Sequence, residues 1–195
     1  MFWYSWGRSD DKYKLTFDMI NASRTDGRVF GDTQITRPYI AYKNASCHAK
    51  RIFTKLKLLW QDKDLLFVEG EQTRLGVGND LFANARSIKR IIAPATNAFS
   101  SYNQILEKVK NLWNGELVLL ALGPCATVLA SDLSEAGIRA IDVGHLDIEY
   151  EWFLSGARGH DKIDGKFTNE ADGGNVVAES VDEEYLKQII SRVGL

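Results

Sequence analysis

Cysteine and proline are scarce in this chain of 195 residues, which holds two of the first and three of the second. Two distant thiols, Cys47 and Cys125, make neither a disulfide framework nor a zinc spacing, so a reducing compartment is expected and the protein is predicted to be cytoplasmic. No run reaches the ~18 to 20 apolar residues that a transmembrane helix requires. The aromatic start, Met1-Phe2-Trp3-Tyr4-Ser5-Trp6, is too short and too interrupted for a secretory signal. An excess of one charge is missing as well. The 24 basic and 26 acidic residues leave a net charge of −2, which gives no nucleic-acid surface and no polybasic membrane patch. Three signatures are also absent: the Gly-x-x-x-x-Gly-Lys-Ser/Thr loop, the Gly-x-Gly-x-x-Gly run and the Gly-x-Ser-x-Gly elbow. Their absence argues against a P-loop nucleotidase, a dehydrogenase and a Ser-His-Asp hydrolase.

What is present is the composition of one α/β domain, 45% hydrophobic and 26% charged, with residues 1–195 read as a single domain. From residue 64 apolar runs of strand length recur: Leu65 to Val68, Ile88 to Ile92, Leu117 to Ala121 and Ala140 to Val143. Helical spacing separates them at Asp80 to Ala85, Ser100 to Trp113 and Ala126 to Ala136, the last stopped by Gly137. Earlier helices are expected at Lys12 to Ala22 and Ala45 to Trp60, with short extended pieces at Val29-Phe30 and Gln34-Ile35. A final helix is expected at Asp182 to Val193, after a glycine-rich loop, Gly156 to Gly174. Near-continuous apolar strands alternating with helices predict a Rossmann-like parallel sheet flanked by helices.

Ligands of such sheets bind beyond the carboxyl ends of the strands, and four segments fall there. Glu69-Gly70-Glu71-Gln72-Thr73-Arg74-Leu75-Gly76-Val77-Gly78-Asn79-Asp80 is glycine-spaced and carries an arginine able to fork onto phosphate oxygens. Near Pro94, Asn97 and Phe99 suit a nucleobase, although Asn97 is equally placed as a helix N-cap. Gly123-Pro124-Cys125-Ala126-Thr127 offers a helix N-terminus and the Thr127 hydroxyl. Cys125 lacks a basic neighbour and reads as a small buried residue. The fourth segment, His145-Leu146-Asp147-Ile148-Glu149-Tyr150-Glu151-Trp152, holds the chemistry. If it is extended, Asp147 and Glu149 share a face and suit a hard cation, Mn²⁺ or Mg²⁺. If it is helical, Asp147 and Glu151 form the pair instead. His145 is a further candidate ligand.

Taken in order, these blocks resemble the GT-D-type glycosyltransferases, a bacterial family first catalogued as a domain of unknown function. The matching stretches are Phe67 to Asp80, Ile91 to Pro94 with Asn97 to Phe99, Leu120 to Pro124, and Asp142 to Trp152. The resemblance implies a GT-D-like fold that moves a sugar from a nucleotide-sugar donor, UDP-glucose in the known case, to a glycan or glycoprotein acceptor. It also implies that Asp147 and Glu149 hold Mn²⁺ against the donor diphosphate. Arg74, Gly76, Gly78 and Asn79 are the expected donor contacts, with Asn97 and Thr127 beside them. Glu71 is expected to orient a sugar hydroxyl or act as a base. The alternatives are a non-catalytic nucleotide-sugar-binding relative and a divalent-metal phosphohydrolase. Family members begin with a segment carrying an Arg-Phe-Gly-Asp-Gly-Glu-like motif, and this chain is expected to lack it. The aromatic start is expected to be a contact surface, with a homodimer as one outcome.

Overall fold

The apolar runs of the sequence lie side by side in a computed structural model of the protein, which describes residues 34–42, 45–113, 115, 117–179 and 182–195. Strands β1 (Asp64–Gly70), β2 (Ser87–Ala93), β3 (Leu117–Ala121), β4 (Ala140–Asp142) and β5 (Ile189–Arg192) are joined in the order β4-β3-β1-β2-β5. Every pairing is parallel. Alternate residues of a strand face opposite sides of its sheet, and here both sides are covered. Leu65, Phe67, Leu117 and Leu119 enter one buried cluster, whereas Leu66, Val68, Val118 and Leu120 enter the other. That two-sided burial explains why the strands read as continuous apolar runs.

Helices supply the two outer layers. α1 (Ala45–Trp60) and α4 (Leu146–Ser155) cover the first face through Phe53, Trp60, Ile148 and Trp152. α2 (Tyr102–Leu112) and α3 (Pro124–Glu135) cover the second through Ile105, Val109, Leu129 and Leu133. α3 opens on a proline, which gives up an N–H that has no intrahelical partner. It closes at Gly137, whose φ of 78° lets its N–H reach Ser134 while that of Ile138 returns to Leu133. The unit that carries all of this is Thr36–Leu195. No helix among the described residues is long and apolar enough to cross a membrane.

Several expectations need correction. Asp80 to Ala85 forms turns, not a helix. Asp182 to Val193 divides into α5 (Glu183–Gln188) and β5, because Ile189 and Ile190 suit a strand edge better than a helix. His145 to Trp152 is helical, so the extended reading of its acidic residues does not hold. Gln34 and Ile35 lie in a turn. The predicted helix Lys12 to Ala22, the extended Val29-Phe30 and the aromatic start lie outside the described residues.

Candidate active site

After β1 the chain moves to one side of the sheet with β2, then returns past β1 to add β3 on the other. The carboxyl ends of β1 and β3, whose following connections leave in opposite directions, are therefore the switch point where such sheets take ligands. A cleft of about 370 Å³ occupies it. Its walls come from Gly70 and Thr73 after β1, Ala95 to Ala98 after β2, and Ala121 to Pro124 after β3. Gly144, His145, Asp147 and Ile148 close the β4 side, and Phe167 and Asn169 come from the long loop. The starts of α3 and α4 both open onto this space.

Asn97 is held in the left-handed region, with φ of 51°, directly before a short 3₁₀ turn (Ala98–Ser101) that its side chain does not cap. The capping alternative is thus answered. The amide stands in the cleft wall with its hydrogen-bonding groups unspent. Phe99 stacks on Tyr102 with ring centroids 5.8 Å apart and is not part of that wall.

His145 sits at the α4 start, between Arg37 and Asn169. Arg37 can only donate, so its Nη2, 2.8 Å away, makes His145 Nδ1 the acceptor. Nε2 then carries the hydrogen and donates to Asn169 Oδ1 at 3.1 Å. Both Arg37 nitrogens also reach Glu170, at 2.6 and 3.1 Å. Burial by itself raises the Glu170 carboxyl, but the Arg37 bonds and the nearby His145 outweigh it and hold it below the usual range.

In α4, residues two apart leave the helix on nearly opposite sides, and the Asp-x-Glu carboxylates do so. Glu149 Oε2 accepts the backbone N–H groups of Tyr39 and Ile40 at 2.9 and 3.1 Å. Burial pushes its carboxyl above the usual range, against the pull of those two donors. Asp147 faces the glycine loop: Oδ1 accepts from Gly76 N at 2.9 Å and from Asn79 Nδ2 at 2.8 Å. Its other oxygen receives Lys166 Nζ at 2.7 Å. Glu151, one turn on, accepts from the same Asn79 amide and the same Lys166 ammonium, each at 2.7 Å. The i, i+4 alternative describes the acidic pair in this helix. A Mn²⁺ or Mg²⁺ shared by Asp147 and Glu149 does not fit the arrangement, since the two carboxylates do not converge and a lysine occupies Asp147. No group of three or more His, Cys, Asp or Glu side chains stands together as a metal site among the described residues.

The glycine loop is not a free phosphate cradle. Glu69 Oε2 accepts the Leu75 N–H at 2.7 Å, and Asp147 takes that of Gly76. Arg90 pairs with Glu69 and also donates to Leu75 O at 2.9 Å. Buried charges thus fold the loop inward. Gly76 has φ of 71°, and a Cβ there would stand 2.6 Å from the Phe82 ring. Gly76, Gly78 and Asn79 border a different hollow, of about 220 Å³, on the β2 side. Arg74 is buried and forks onto the carbonyls of Gly165, at 2.7 Å, and Ala178, at 2.5 Å, away from the cleft. Glu71 is exposed beside Arg74 and does not line the cleft either. Thr127 spends its hydroxyl on Asp142, at 2.7 Å.

Of the residues singled out from sequence, the structure brings Asn97, Asp147 and His145 to the cleft. Asn169, Phe167, Lys166, Arg37, Glu170, Glu69 and Arg90 were not singled out. Only the last two carried a signal, as charges inside apolar strands.

The chain matches the glycosyltransferase GT-D fold family over residues 2–171. It is 47% identical over 164 residues to the probable glycosyl transferase Gly of Streptococcus gordonii, covering 84% of this chain and 24% of that protein. It is 43% identical over 164 residues to the glycosyltransferase GlyD of Streptococcus pneumoniae serotype 4, covering 84% of this chain and 20% of that one. The chain therefore spans about a quarter or less of the length of the curated relatives it matches. A solved structure described as a new glycosyltransferase (DUF1792) from Streptococcus sanguinis superposes with a TM-score of 0.77 at 45% identity, covering 84% of this chain and 60% of that one. Another, described as the highly conserved domain of unknown function 1792 with a distinct glycosyltransferase fold, gives 0.81 at 40% identity, covering 96% and 70%.

Proposed function

Because the chain belongs to the glycosyltransferase GT-D fold family, we propose that it transfers a sugar from a nucleotide-sugar donor to a glycan or glycoprotein acceptor, with UDP-glucose as the donor to test first. The observation that carries the reading is the switch-point cleft with two helix starts and the unspent Asn97 amide in its walls. The positive ends of α3 and α4 suit a diphosphate, which gains charge as it leaves. Neutral polar groups, Thr73, Thr96, Asn97 and Asn169, suit the hydroxyls of a sugar or the edge of a base. Phe167 and the alanines supply an apolar wall that excludes water.

In this reading Arg37 fixes the His145 ring, whose Nε2–H holds Asn169 Oδ1 and so leaves the Asn169 NH₂ group to face the donor. Asp147 acts by holding the glycine loop and Lys166 in place. No step is routed through an ion on the Asp-x-Glu pair, and no base is assigned, because Glu71 stands outside the cleft. The unpaired cysteines, Cys47 and Cys125, support a reducing, cytoplasmic setting.

The test is product analysis of the purified chain with UDP-glucose and a panel of glycan and glycopeptide acceptors, with and without Mn²⁺. Mass added to an acceptor is the expected result. UDP binding with no product would leave a non-catalytic donor-binding domain, and free phosphate would indicate a phosphohydrolase.

A further inference from the structure

A lysine is seldom buried unless it is paired, and Lys166, 3% exposed, is one of the few buried charges among the described residues. It reaches α4 from the segment 161–179, a stretch without helix or strand that crosses the open end of the sheet. Its ammonium bridges Asp147 and Glu151 at 2.7 Å each, and the Asn79 amide bridges the same two carboxylates. The ring is closed, with two anions, one cation and one amide.

Lys166 leaves a turn closed by its own N–H on Ile163 O, and from there to the next turn the side chains alternate. Lys166 and Thr168 turn inward and are buried, whereas Phe167 and Asn169 stand in the cleft wall. Backbone bonds from Phe167 N to Gln72 O and from Thr168 N to Gly174 O, both 2.8 Å, fix the alternation. Gly174 cannot be replaced there, since a Cβ would lie 2.1 Å from the Thr168 carbonyl oxygen.

We propose that Lys166 is a resident counter-ion and positioning residue. It neutralises Asp147 and Glu151 from within the chain, and that bond seats the strap 161–179 so that Phe167 and Asn169 complete the donor cleft. The proposal rests on the reading of that cleft as a donor site, but its first consequence, the seating of the strap, does not. Nothing in the proposal requires Lys166 to touch the donor. Its removal should act through Phe167 and Asn169.

The experiment compares the 195-residue wild type, Lys166→Met and Glu151→Gln by hydrogen exchange and by titration with UDP-glucose. In Lys166→Met the amides of residues 165–169 should exchange at least about ten times faster, and UDP-glucose should bind roughly ten-fold more weakly. Amides of β1 and β3 should stay protected. Glu151→Gln keeps the lysine and lies outside the cleft wall, so it should loosen the same strap amides by a smaller factor. That variant carries the test alone if Lys166→Met does not fold. Unchanged strap exchange in the folded variants would overturn the proposal, as would loosening of the strap with unchanged UDP-glucose affinity. If wild type itself binds no nucleotide sugar, the functional reading fails while the strap measurement still decides the role of Lys166.

Discussion

The carboxylate of Glu69 and the guanidinium of Arg90 meet across the β1–β2 seam, with neither reaching solvent. Arg90 spends the rest of its fork on Leu75 O and Gln188, and it lies over the rings of Phe67 and Tyr185, 4.9 Å from each centroid. The pair is the floor on which the glycine loop rests. Removing one partner strands the other charge in the interior, at a cost of about 3–5 kcal/mol, whereas replacing both by apolar residues costs less. Arg90→Met is therefore expected to destabilise more than Glu69→Leu/Arg90→Met in urea unfolding. Equal losses would show that the floor is apolar packing alone.

Asp147 and Lys166 share a buried bond, while Asp147 and Glu149 share no partner. Double-mutant cycles should separate them. Coupling between Asp147→Asn and Lys166→Met is expected to exceed about 1 kcal/mol, and between Asp147→Asn and Glu149→Gln to stay below about 0.5 kcal/mol. Strong coupling of the second pair would show that the two carboxylates act on one group after all.

Asn97 and Arg74 should behave in opposite ways. Asn97→Gly keeps the left-handed backbone without strain and deletes an amide that bonds nothing in the fold. UDP-glucose affinity should fall roughly 2- to 12-fold, the value of one neutral hydrogen bond, with the melting temperature maintained. Arg74→Ala removes two bonds to loop carbonyls and should cost about 1.5–3 kcal/mol of stability. Full stability with lost UDP affinity in Arg74→Ala would return that arginine to the donor.

Most of the sheet was legible because burial on both faces writes itself as unbroken apolar runs. The helices α1, α2 and α3 were legible for a related reason, since one buried face leaves a period in the sequence. The site was less so. Asp147, Asn97 and His145 stand at strand ends and could be found by position. The partner of Asp147 could not, because Lys166 lies in a glycine-rich stretch where nothing in one dimension distinguishes a buried ammonium from a solvated one. Arg74 misled for the complementary reason. An arginine among glycines suits phosphate oxygens and main-chain carbonyls equally, and here the carbonyls of Gly165 and Ala178 are nearer. The acidic run was readable as strand or helix, and only packing against α1 decides for the helix.

The Arg86 guanidinium, with help from the Ser87 hydroxyl, holds the Asp64 carboxyl at about 2, below its ordinary 3.8. A depressed carboxylate stabilises the fold above its unfolded value, and the effect is lost as pH falls through the folded one. The Asp64 contribution is thus complete above 3.8 and disappears on acidification toward about 2. In Arg86→Ala, carboxyl NMR should show Asp64 titrating closer to 3.8. A titration still near 2 would assign the shift to Ser87 and Lys89 instead.

The outermost pairing of the sheet has a consequence for synthesis. β2 meets β5 in the register Arg90 to Ile189, whereas β1, β2 and β3 come together within Asp64–Ala121. A ribosome delivers the central strands long before the one that covers them. Until Arg192 has left the exit tunnel, the outer edge of β2 offers Ile91 and Ile92 with unpaired main-chain groups, a template that any extended chain can join. Nascent chains halted between Ala121 and Ile189 are the ones expected to enlist a chaperone.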